Sequence, residues 1–259
     1  MLDILRVGAF SDNYIWLVRA PSDKDRVVAV DPGDAAPVLD ALHGHGLSLA
    51  GILITHHHWD HTNGVEALLA NARVPVFAPA DENAPVAGCT APVRHGDTAA
   101  FPDLNLSFAV LAVPGHTAGH IAYHGHGAVF CGDALFSAGC GRLFEGTPEQ
   151  MLGSLRRLAA LPDETLAYCG HEYTASNLRF AAAVEPDNAA VTRHAGHVAA
   201  LRREGEASLP TTIALERQIN PFLRCDEAAV RDAAEAQAGR TLADTTAVLA
   251  TLRQWKDNF

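Results

Sequence analysis

The stretch Thr55-His56-His57-His58-Trp59-Asp60-His61 decides the fold of this 259-residue chain. The apolar run Leu49–Thr55 leads into it and predicts a buried strand that delivers the chain to the first histidine. Within its last six residues the stretch offers four candidate ligands, each with an imidazole or a carboxylate group: His56, His58, Asp60 and His61. Burying so many polar groups without a metal ion would be costly, so the stretch predicts a metal site and not core packing.

The spacing within the stretch suggests two ions. His56 and His58 are two residues apart, so in extended chain their side chains point the same way and can share one metal ion. Asp60 and His61 fall where the chain turns toward a helix and can face a second ion. His57 is expected to point away from both.

Three later segments repeat one arrangement, an apolar strand followed by a glycine and then a possible ligand. The ligands delivered in this way are His116, Asp133 and His171. Taken alone, a Gly-Asp pair is usually a turn or helix cap, and a loop histidine is usually solvated or satisfied in the core. Together with the first cluster they supply seven donors, the number that two ions sharing one bridging ligand need.

The order H-x-H-x-D-H…H…D…H resembles the metallo-β-lactamase superfamily. The resemblance implies an α/β fold, an αββα sandwich with the metal site along one edge, followed here by a small C-terminal all-helical domain. It also implies a ligand set in which His56, His58 and His116 hold the first metal, Asp60, His61 and His171 hold the second, and Asp133 bridges them.

Further segments resemble one family of this superfamily, glyoxalase II (hydroxyacylglutathione hydrolase). They are Ser11–Tyr14, Gly139–Thr147, Cys169–Thr174, Asn220–Arg224 and Arg253–Lys256, which together span essentially the whole chain. By position, the resemblance implies that the glutathione part of a substrate contacts Arg142, Phe144, Tyr173, Arg253 and Lys256.

These implied contacts have a physical basis and an alternative. Glutathione carries two carboxylates, to which fixed cations offer charge-assisted hydrogen bonds. Arg253 and Lys256 are three residues apart, on one face of a predicted helix, and can reach one ligand. An ordinary solvated basic pair is the alternative. Some family members have Lys and Tyr in place of Arg142 and Phe144, and Phe144 has no hydroxyl and can only pack.

The resemblance also implies the chemistry. Two divalent ions, expected to be zinc with iron or manganese as alternatives, would turn a bridging water into hydroxide that attacks a thioester carbonyl. Glutathione thiolate is a good leaving group, so no general acid is needed. Asp133 and Asp60 are assigned as the catalytic carboxylates. The implied substrate is S-(R)-lactoylglutathione, hydrolysed to D-lactate and glutathione in methylglyoxal detoxification.

Three other function classes fit the sequence less well. A persulfide dioxygenase shares the fold, the motif and glutathione-linked substrates, but uses one iron and lacks the helical tail with Arg253 and Lys256. A nuclease fits poorly with the acidic balance and the absence of a basic appended domain. A non-catalytic binding protein fits poorly because all seven donors are present.

Composition limits which partners and which cellular compartment are expected. A net charge of −11 argues against a nucleic-acid partner. No apolar run is long enough to span a membrane, and the first six residues do not resemble a signal peptide. The five cysteines include no CxxC pair and predict no disulfide framework. We therefore expect a cytoplasmic monomer that acts on a small-molecule glutathione thioester.

Strand and helix patterns place a domain boundary near residue 170. Residues 1–170 are predicted to form the catalytic domain and residues 171–259 a helical substrate-binding domain without strands. Helix starts are predicted at Asn63, Thr147, Asp187 and Asp226, of which Thr147-Pro148-Glu149-Gln150 carries the strongest signal. Cys131 and Cys169 are expected to be buried as small apolar residues, and His120 to be a structural neighbour of the site.

Overall fold

The computed structural model describes residues 2–259, and Met1 lies outside the described residues. The fold divides into two compact units, which are described separately. The first contains the chain up to Ala112 and the segment Thr117–Gly132, and the second contains Val113–His116 and Asp133–Phe259.

The first unit contains a six-stranded mixed sheet whose strands follow one another in chain order. The first three strands pair antiparallel, and the third to the sixth pair parallel. Parallel strands finish at the same edge of a sheet, so the residues that follow the third and fourth strands meet there. The strands are β1 (Asp3–Ala9), β2 (Asn13–Ala20), β3 (Asp23–Val30), β4 (Ser48–Leu53), β5 (Val76–Pro79) and β6 (Ala91–Val93).

Short helices cover one face of this sheet. Helix α1 (Ala35–His45) begins at Asp34, whose side chain accepts a hydrogen bond from the amide of Ala36. Helices α2 (Trp59–Thr62) and α3 (Val65–Leu69) follow β4. Buried side chains of α1 and α3 pack against those of β1 to β5 in one apolar cluster, which includes Val38, Leu42, Val65, Leu68, Ile15, Leu17, Val27, Ile52 and Val76.

Four antiparallel strands of the first unit stack on the sheet β1–β6. Tyr123 is fully buried, and its hydroxyl oxygen lies 2.9 Å from the carbonyl oxygen of Ile54 and 3.1 Å from that of Phe77. These contacts join the two layers face to face. The strands, paired in chain order, are β7 (Thr98–Phe101), β8 (Leu106–Ala112), β9 (Ile121–Gly125) and β10 (Ala128–Gly132), with a 3₁₀ turn at Pro102–Leu104.

The second unit is mostly helical. Its α5, α6 and α7 enclose an apolar cluster that includes Leu178, Ala181, Val191, Val198 and Ile219. The helices are α4 (Pro148–Ala159), α5 (Thr174–Val184), α6 (Ala189–Arg203), α7 (Ile213–Ile219), α8 (Ala228–Ala238) and α9 (Thr245–Asp257). Two short antiparallel pairs accompany them, β11 (Leu135–Phe136) with β12 (Gly139–Cys140) and β13 (Leu166–Cys169) with β14 (Thr211–Thr212).

The start of α4 is the one that the sequence predicted most strongly. The Thr147 hydroxyl accepts from the amide of Gln150 at 3.2 Å, and the Gln150 side chain accepts from the amide of Thr147 at 2.9 Å. Both bonds of a capping box are present, with Pro148 in the first turn.

We expect Thr147→Ala to lower the free energy of unfolding by about 1 kcal/mol, because one amide of the first turn of α4 loses its acceptor. Urea unfolding followed by circular dichroism measures the loss, and Thr147→Ser, which keeps the hydroxyl, is the control. Equal stability of the alanine and serine variants would show that the box contributes nothing.

Three other predicted helix starts were wrong. Asn63 follows α2, which already begins at Trp59, and α3 begins after Gly64 without a side-chain cap. Helix α6 is capped by Asn188 and not by Asp187. Helix α8 follows Glu227, while Asp226 accepts hydrogen bonds from Thr245 and Arg156.

Two further sequence predictions can be compared with the fold. The five cysteines are present as thiols and not as disulfides, and Cys131 and Cys169 are fully buried as expected. Strand β14 lies beyond residue 170, where no strand was predicted. Among residues 2–259, every helix is too short or too polar to cross a lipid bilayer.

Candidate functional site

The first group of predicted ligands follows β4 at the edge of the sheet. The Nε2 atom of His56 lies 3.1 Å from the Nδ1 atom of His58. His56 is fully buried, and its other ring nitrogen lies 3.1 Å from the Thr55 hydroxyl. The two facing nitrogens are close enough to share one ion, as the two-residue spacing predicted.

A buried aspartate supports this edge. Asp31 follows β3 and accepts hydrogen bonds from the amide and the hydroxyl of Thr55, at 2.8 and 2.7 Å. Its carboxylate also lies 3.1 Å from Nδ1 of His61, which is 1% exposed. A carboxylate partner keeps the proton on Nδ1, so Nε2 of His61 presents a lone pair to a ligand. Ligand atoms of Asp31, His56 and His61 all lie within 4.8 Å of one another.

Asp60 is held from the β1–β2 hairpin. The side-chain amide of Asn13 donates to the Asp60 carboxylate at 3.0 Å and to the Asp60 backbone carbonyl oxygen at 3.2 Å. One Asp60 oxygen lies 3.6 Å from Nε2 of His61, which places the two predicted ligands of the second ion side by side. The hairpin thereby orients a carboxylate that lies 47 residues further along the chain.

Two of the histidines that were not predicted as ligands, His57 and His120, lie next to the predicted ligands and have other partners. Nδ1 of His57 lies 3.2 Å from the buried carboxylate of Glu82, which also accepts from the Thr117 hydroxyl and the amide of Gly119. His120 is fully buried, and its ring stacks on that of His56 at a centroid distance of 4.6 Å. Glu82 therefore ties the segment after β4 to the segment before β9.

The second unit holds the other three predicted ligands. One carboxylate oxygen of Asp133 lies 3.6 Å from Nε2 of His116 and 3.3 Å from Nε2 of His171. All three side chains are buried, at 4 to 7% exposed. A single oxygen that faces two imidazole nitrogens is an arrangement that a carboxylate bridging two ions can adopt.

The backbone near residue 142 orients His116. Nδ1 of His116 lies 2.9 Å from the carbonyl oxygen of Arg142, so Nδ1 carries the proton and Nε2 is the nitrogen that faces Asp133. This close approach requires a glycine at position 141. A Cβ atom on Gly141 would lie 2.1 Å from the Asp133 carbonyl oxygen and 2.8 Å from Nδ1 of His116.

Two predicted substrate-binding residues are aromatic and lie beside these ligands. Phe144 is 63% exposed, and its ring meets the His116 ring edge-on at 5.3 Å. Tyr173 is 37% exposed and stacks on His171 at 4.8 Å with an interplanar angle of 7°. Each exposed ring thus covers one of the imidazoles next to Asp133.

The three predicted basic residues differ in their exposure to solvent. Arg142 is exposed and pairs with Asp257 at 3.4 Å. Arg253 is only 6% exposed, donates to the carbonyl oxygen of Cys140 at 2.8 Å and pairs with the same Asp257 at 3.1 Å. Lys256 is partly buried, with its ammonium 3.4 Å from the Ser176 hydroxyl.

The surroundings of Lys256 change its ionisation. Burial, with the positive charges of Arg253, Arg179 and Arg142, lowers the pKa of Lys256 to about 8, and Asp257 acts in the opposite direction. The alternative of an ordinary solvated basic pair does not describe Arg253 and Lys256, since Arg253 is buried and Lys256 is partly buried.

Sequence reasoning missed three residues of this region. Asp31 was not predicted as a donor, although it directly follows the apolar residues Val27–Val30, as His56 follows Leu49–Thr55. Asn13 lay in a segment that supported the family resemblance without a role. Glu82 has no local signal, because its partners are 25 to 37 residues away.

The donor sets suit divalent metal ions. They consist of imidazole nitrogens and carboxylate oxygens with no thiolate, which fits zinc, iron or manganese. Hydrogen bonds from the far side of His61 and His116 fix the tautomer that coordination needs. The His and Asp clusters therefore fit two divalent metals.

Comparison with known proteins covers the whole chain. The family described as Metallo-beta-lactamase superfamily matches residues 9–171, and that described as Hydroxyacylglutathione hydrolase C-terminus matches residues 172–259. A hydroxyacylglutathione hydrolase of Alkalilimnicola ehrlichii is 56% identical over 259 residues, with 99% of each chain covered. One of Nitrosomonas eutropha is 48% identical over 259 residues, with 100% of each covered.

Solved structures show the same similarity more distantly. ETHE1 from Myxococcus xanthus is 27% identical with a TM-score of 0.67, and the match covers 98% of this chain and 91% of that one.

Proposed function

Because this chain belongs to the hydroxyacylglutathione hydrolase family of the metallo-β-lactamase superfamily, we infer that it is a metal-dependent hydrolase of glutathione thioesters. The expected fold class, an α/β metallo-β-lactamase domain with a C-terminal helical domain, is confirmed. The substrate is a 2-hydroxyacylglutathione such as S-(R)-lactoylglutathione, which yields D-lactate and glutathione. Division of the chain at residues 170 and 171 is part of this proposal and is supported by the two family matches.

The position of Asp133 carries the proposal about the site. Its carboxylate oxygen lies within 3.6 Å of two imidazole nitrogens, each with a lone pair available if the other nitrogen is protonated. We propose Asp133 as the bridging ligand of two ions, with zinc as the metal. The other ligands in this proposal are His56, His58, Asp60, His61, His116 and His171.

The reaction exchanges one bond for another. Two bound divalent cations would lower the pKa of water and polarise a carbonyl oxygen. Water contributes its oxygen to the acyl carbon, the carbon–sulfur bond breaks, and the sulfur leaves as a thiolate. Since a thiol has a pKa of about 8.5, this leaving group needs no proton donor. Asp60 and Asp133 are proposed to hold the ligand geometry in which this exchange takes place.

The second unit supplies candidate contacts for the glutathione part. Phe144 and Tyr173 offer exposed rings beside His116 and His171, and Phe144 packs without a hydroxyl. Arg142 and Lys256 offer positive charges to the carboxylates. Arg253 is proposed to act on the same ligand, although most of its guanidinium is already occupied by Cys140 and Asp257.

The test is to purify the protein, count its metal ions and follow thiol release from S-(R)-lactoylglutathione. We expect about two ions per chain and a kcat/KM that falls when a chelator removes them. A chain that instead binds one iron and consumes oxygen on glutathione persulfide would be the alternative dioxygenase. The match of residues 172–259 to the hydrolase C-terminus favours the thioesterase.

Lys256 predicts a pH dependence of substrate binding. Its pKa of about 8 means that the ammonium is charged below pH 8 and is lost as the pH rises through that value. We expect KM for lactoylglutathione to rise several-fold between about pH 7 and 9 as the carboxylate loses this partner. Lys256→Arg keeps its charge and should flatten the profile, so parallel profiles for the two proteins would exclude Lys256 from the contact.

A further inference from the structure

A buried carboxylate in α7 collects four hydrogen bonds. Glu216 is fully buried. One of its oxygens accepts from the hydroxyls of Ser137 and Thr211, at 2.8 and 2.7 Å. The other accepts from the amide of Ala138 at 2.7 Å and from the side chain of Asn220 at 3.0 Å. Burial raises the pKa of this carboxyl, while its donors act in the opposite direction.

Two of these four bonds come from one short segment, Phe136–Cys140, which contains the turn between β11 and β12. Besides bonding Glu216, Asn220 donates to the carbonyl oxygens of Phe136 and Gly139, at 3.2 and 2.9 Å. Asn177 of α5 donates to the Ser137 carbonyl oxygen at 3.0 Å. Side chains of α5, of α7 and of Asn220, which follows α7, therefore bond four backbone groups of this segment.

The turn also adopts a conformation that needs such support. Ala138 has a φ of 56°, in the left-handed region that a residue with a Cβ atom rarely occupies. Non-glycine residues persist there when their surroundings fix them. The amide of Ala138 donates directly to Glu216, so the carboxylate holds the strained residue itself.

The segment Phe136–Cys140 connects the proposed bridging ligand Asp133 to the proposed substrate residues Arg142 and Phe144. We propose that Glu216 is a positioning residue for substrate binding, which acts by fixing this segment and through it the placement of Arg142 and Phe144. This inference rests on the proposed thioesterase function. Glu216 itself would touch neither substrate nor metal.

A matched pair of variants separates positioning from general stability. Ser137→Ala and Thr211→Val each remove one buried hydroxyl donor from the same Glu216 oxygen. Only Ser137 belongs to the turn, whereas Thr211 lies on β14. We expect Ser137→Ala to raise KM for lactoylglutathione about threefold to tenfold, with kcat within about twofold and the metal content unchanged. Thr211→Val should keep KM near the parent value.

Substitution of Glu216 itself gives the second measurement. The oxygen that faces two hydroxyls can be replaced by an amide nitrogen, because hydroxyls also accept hydrogen bonds. Glu216→Gln should therefore keep KM within about threefold, whereas Glu216→Ala should raise it more than Ser137→Ala does. Hydrogen exchange of the Ala138 amide should be faster in Glu216→Ala and in Ser137→Ala than in Glu216→Gln.

The outcomes of these measurements are distinct. If the parent protein releases thiol from lactoylglutathione but Ser137→Ala and Thr211→Val change KM equally, the positioning role is wrong and Glu216 only stabilises the fold. Should Glu216→Ala fail to fold, the Ser137 and Thr211 pair still decides the question. A parent protein without thioesterase activity would overturn the proposed function, while the Ala138 exchange rates would still report whether Glu216 fixes the turn.

Discussion

Replacement of Asp133 by alanine is expected to lower kcat for thioester hydrolysis by at least about a thousandfold. The reason is that one Asp133 carboxylate oxygen lies next to the ring nitrogens of both His116 and His171. Without it, His116 and His171 lose the shared partner, and two like-charged ions would lose the anion that offsets their repulsion. The metal content should fall from about two ions per chain to about one or fewer. Thiol release and metal analysis on the same sample measure both effects.

Two controls make the Asp133 result interpretable. Asp232→Ala removes an exposed carboxylate on α8 and should leave both kcat and the metal content unchanged. Asp133→Asn keeps the shape but not the charge, and should retain the fold while it loses most of the activity. An Asp133→Ala protein with two ions and near-normal kcat would refute the bridging role.

Replacement of Arg253 by alanine is expected to change both binding and stability. The guanidinium donates to the Cys140 carbonyl oxygen and to Asp257, and lies over the Phe222 ring at 5.1 Å. Its loss leaves a buried carbonyl oxygen without this donor, which should lower the free energy of unfolding by about 2–3 kcal/mol. KM for lactoylglutathione should rise about tenfold to a hundredfold with kcat within a few-fold, since the chemistry occurs elsewhere.

Steady-state kinetics with urea unfolding of the same variant separate the two effects of Arg253. Arg253→Lys keeps a positive charge but not the planar fork of donors, so it should recover part of the KM and little of the stability. Unchanged KM in a destabilised Arg253→Ala protein would mean that Arg253 supports the Cys140 segment alone. The glutathione carboxylates would then be bound by Arg142 and Lys256.

The parts of the site that sequence predicted well are those with local signals. The spacing of His56 and His58 after an apolar run is visible in the sequence, and the structure places their facing nitrogens 3.1 Å apart. The Thr147 capping box is equally local, and both of its bonds are present. Asp133 and His171 were predicted from the repeated strand–glycine pattern, and they lie close together. Their roles as ligands stay predictions.

The errors arise where distant parts of the chain decide the structure. Asn63 has the chemistry of a helix cap, but the chain is already helical at Trp59. Asp226 could cap α8, but it bonds Arg156, which is 70 residues away. The partners of Glu82 lie 25 to 37 residues away, and Glu216 bonds Ser137 and Ala138 from 79 and 78 residues away, so no short motif reveals these two supports. The burial of Arg253 could not be predicted either, because it depends on how α9 packs.

The burial of the cysteines determines how easily the protein is glutathionylated under oxidative stress. Release of glutathione at each turnover would keep that thiol, and its disulfide when oxidised, close to the protein. Mixed disulfides form only through accessible thiolates. Four of the five cysteines are buried, and burial raises the pKa of Cys140 and Cys225, which keeps them as thiols. Cys89 is the one thiol with partial exposure and belongs to neither group of proposed metal ligands, and burial raises its pKa as well, so glutathionylation is disfavoured at this position too.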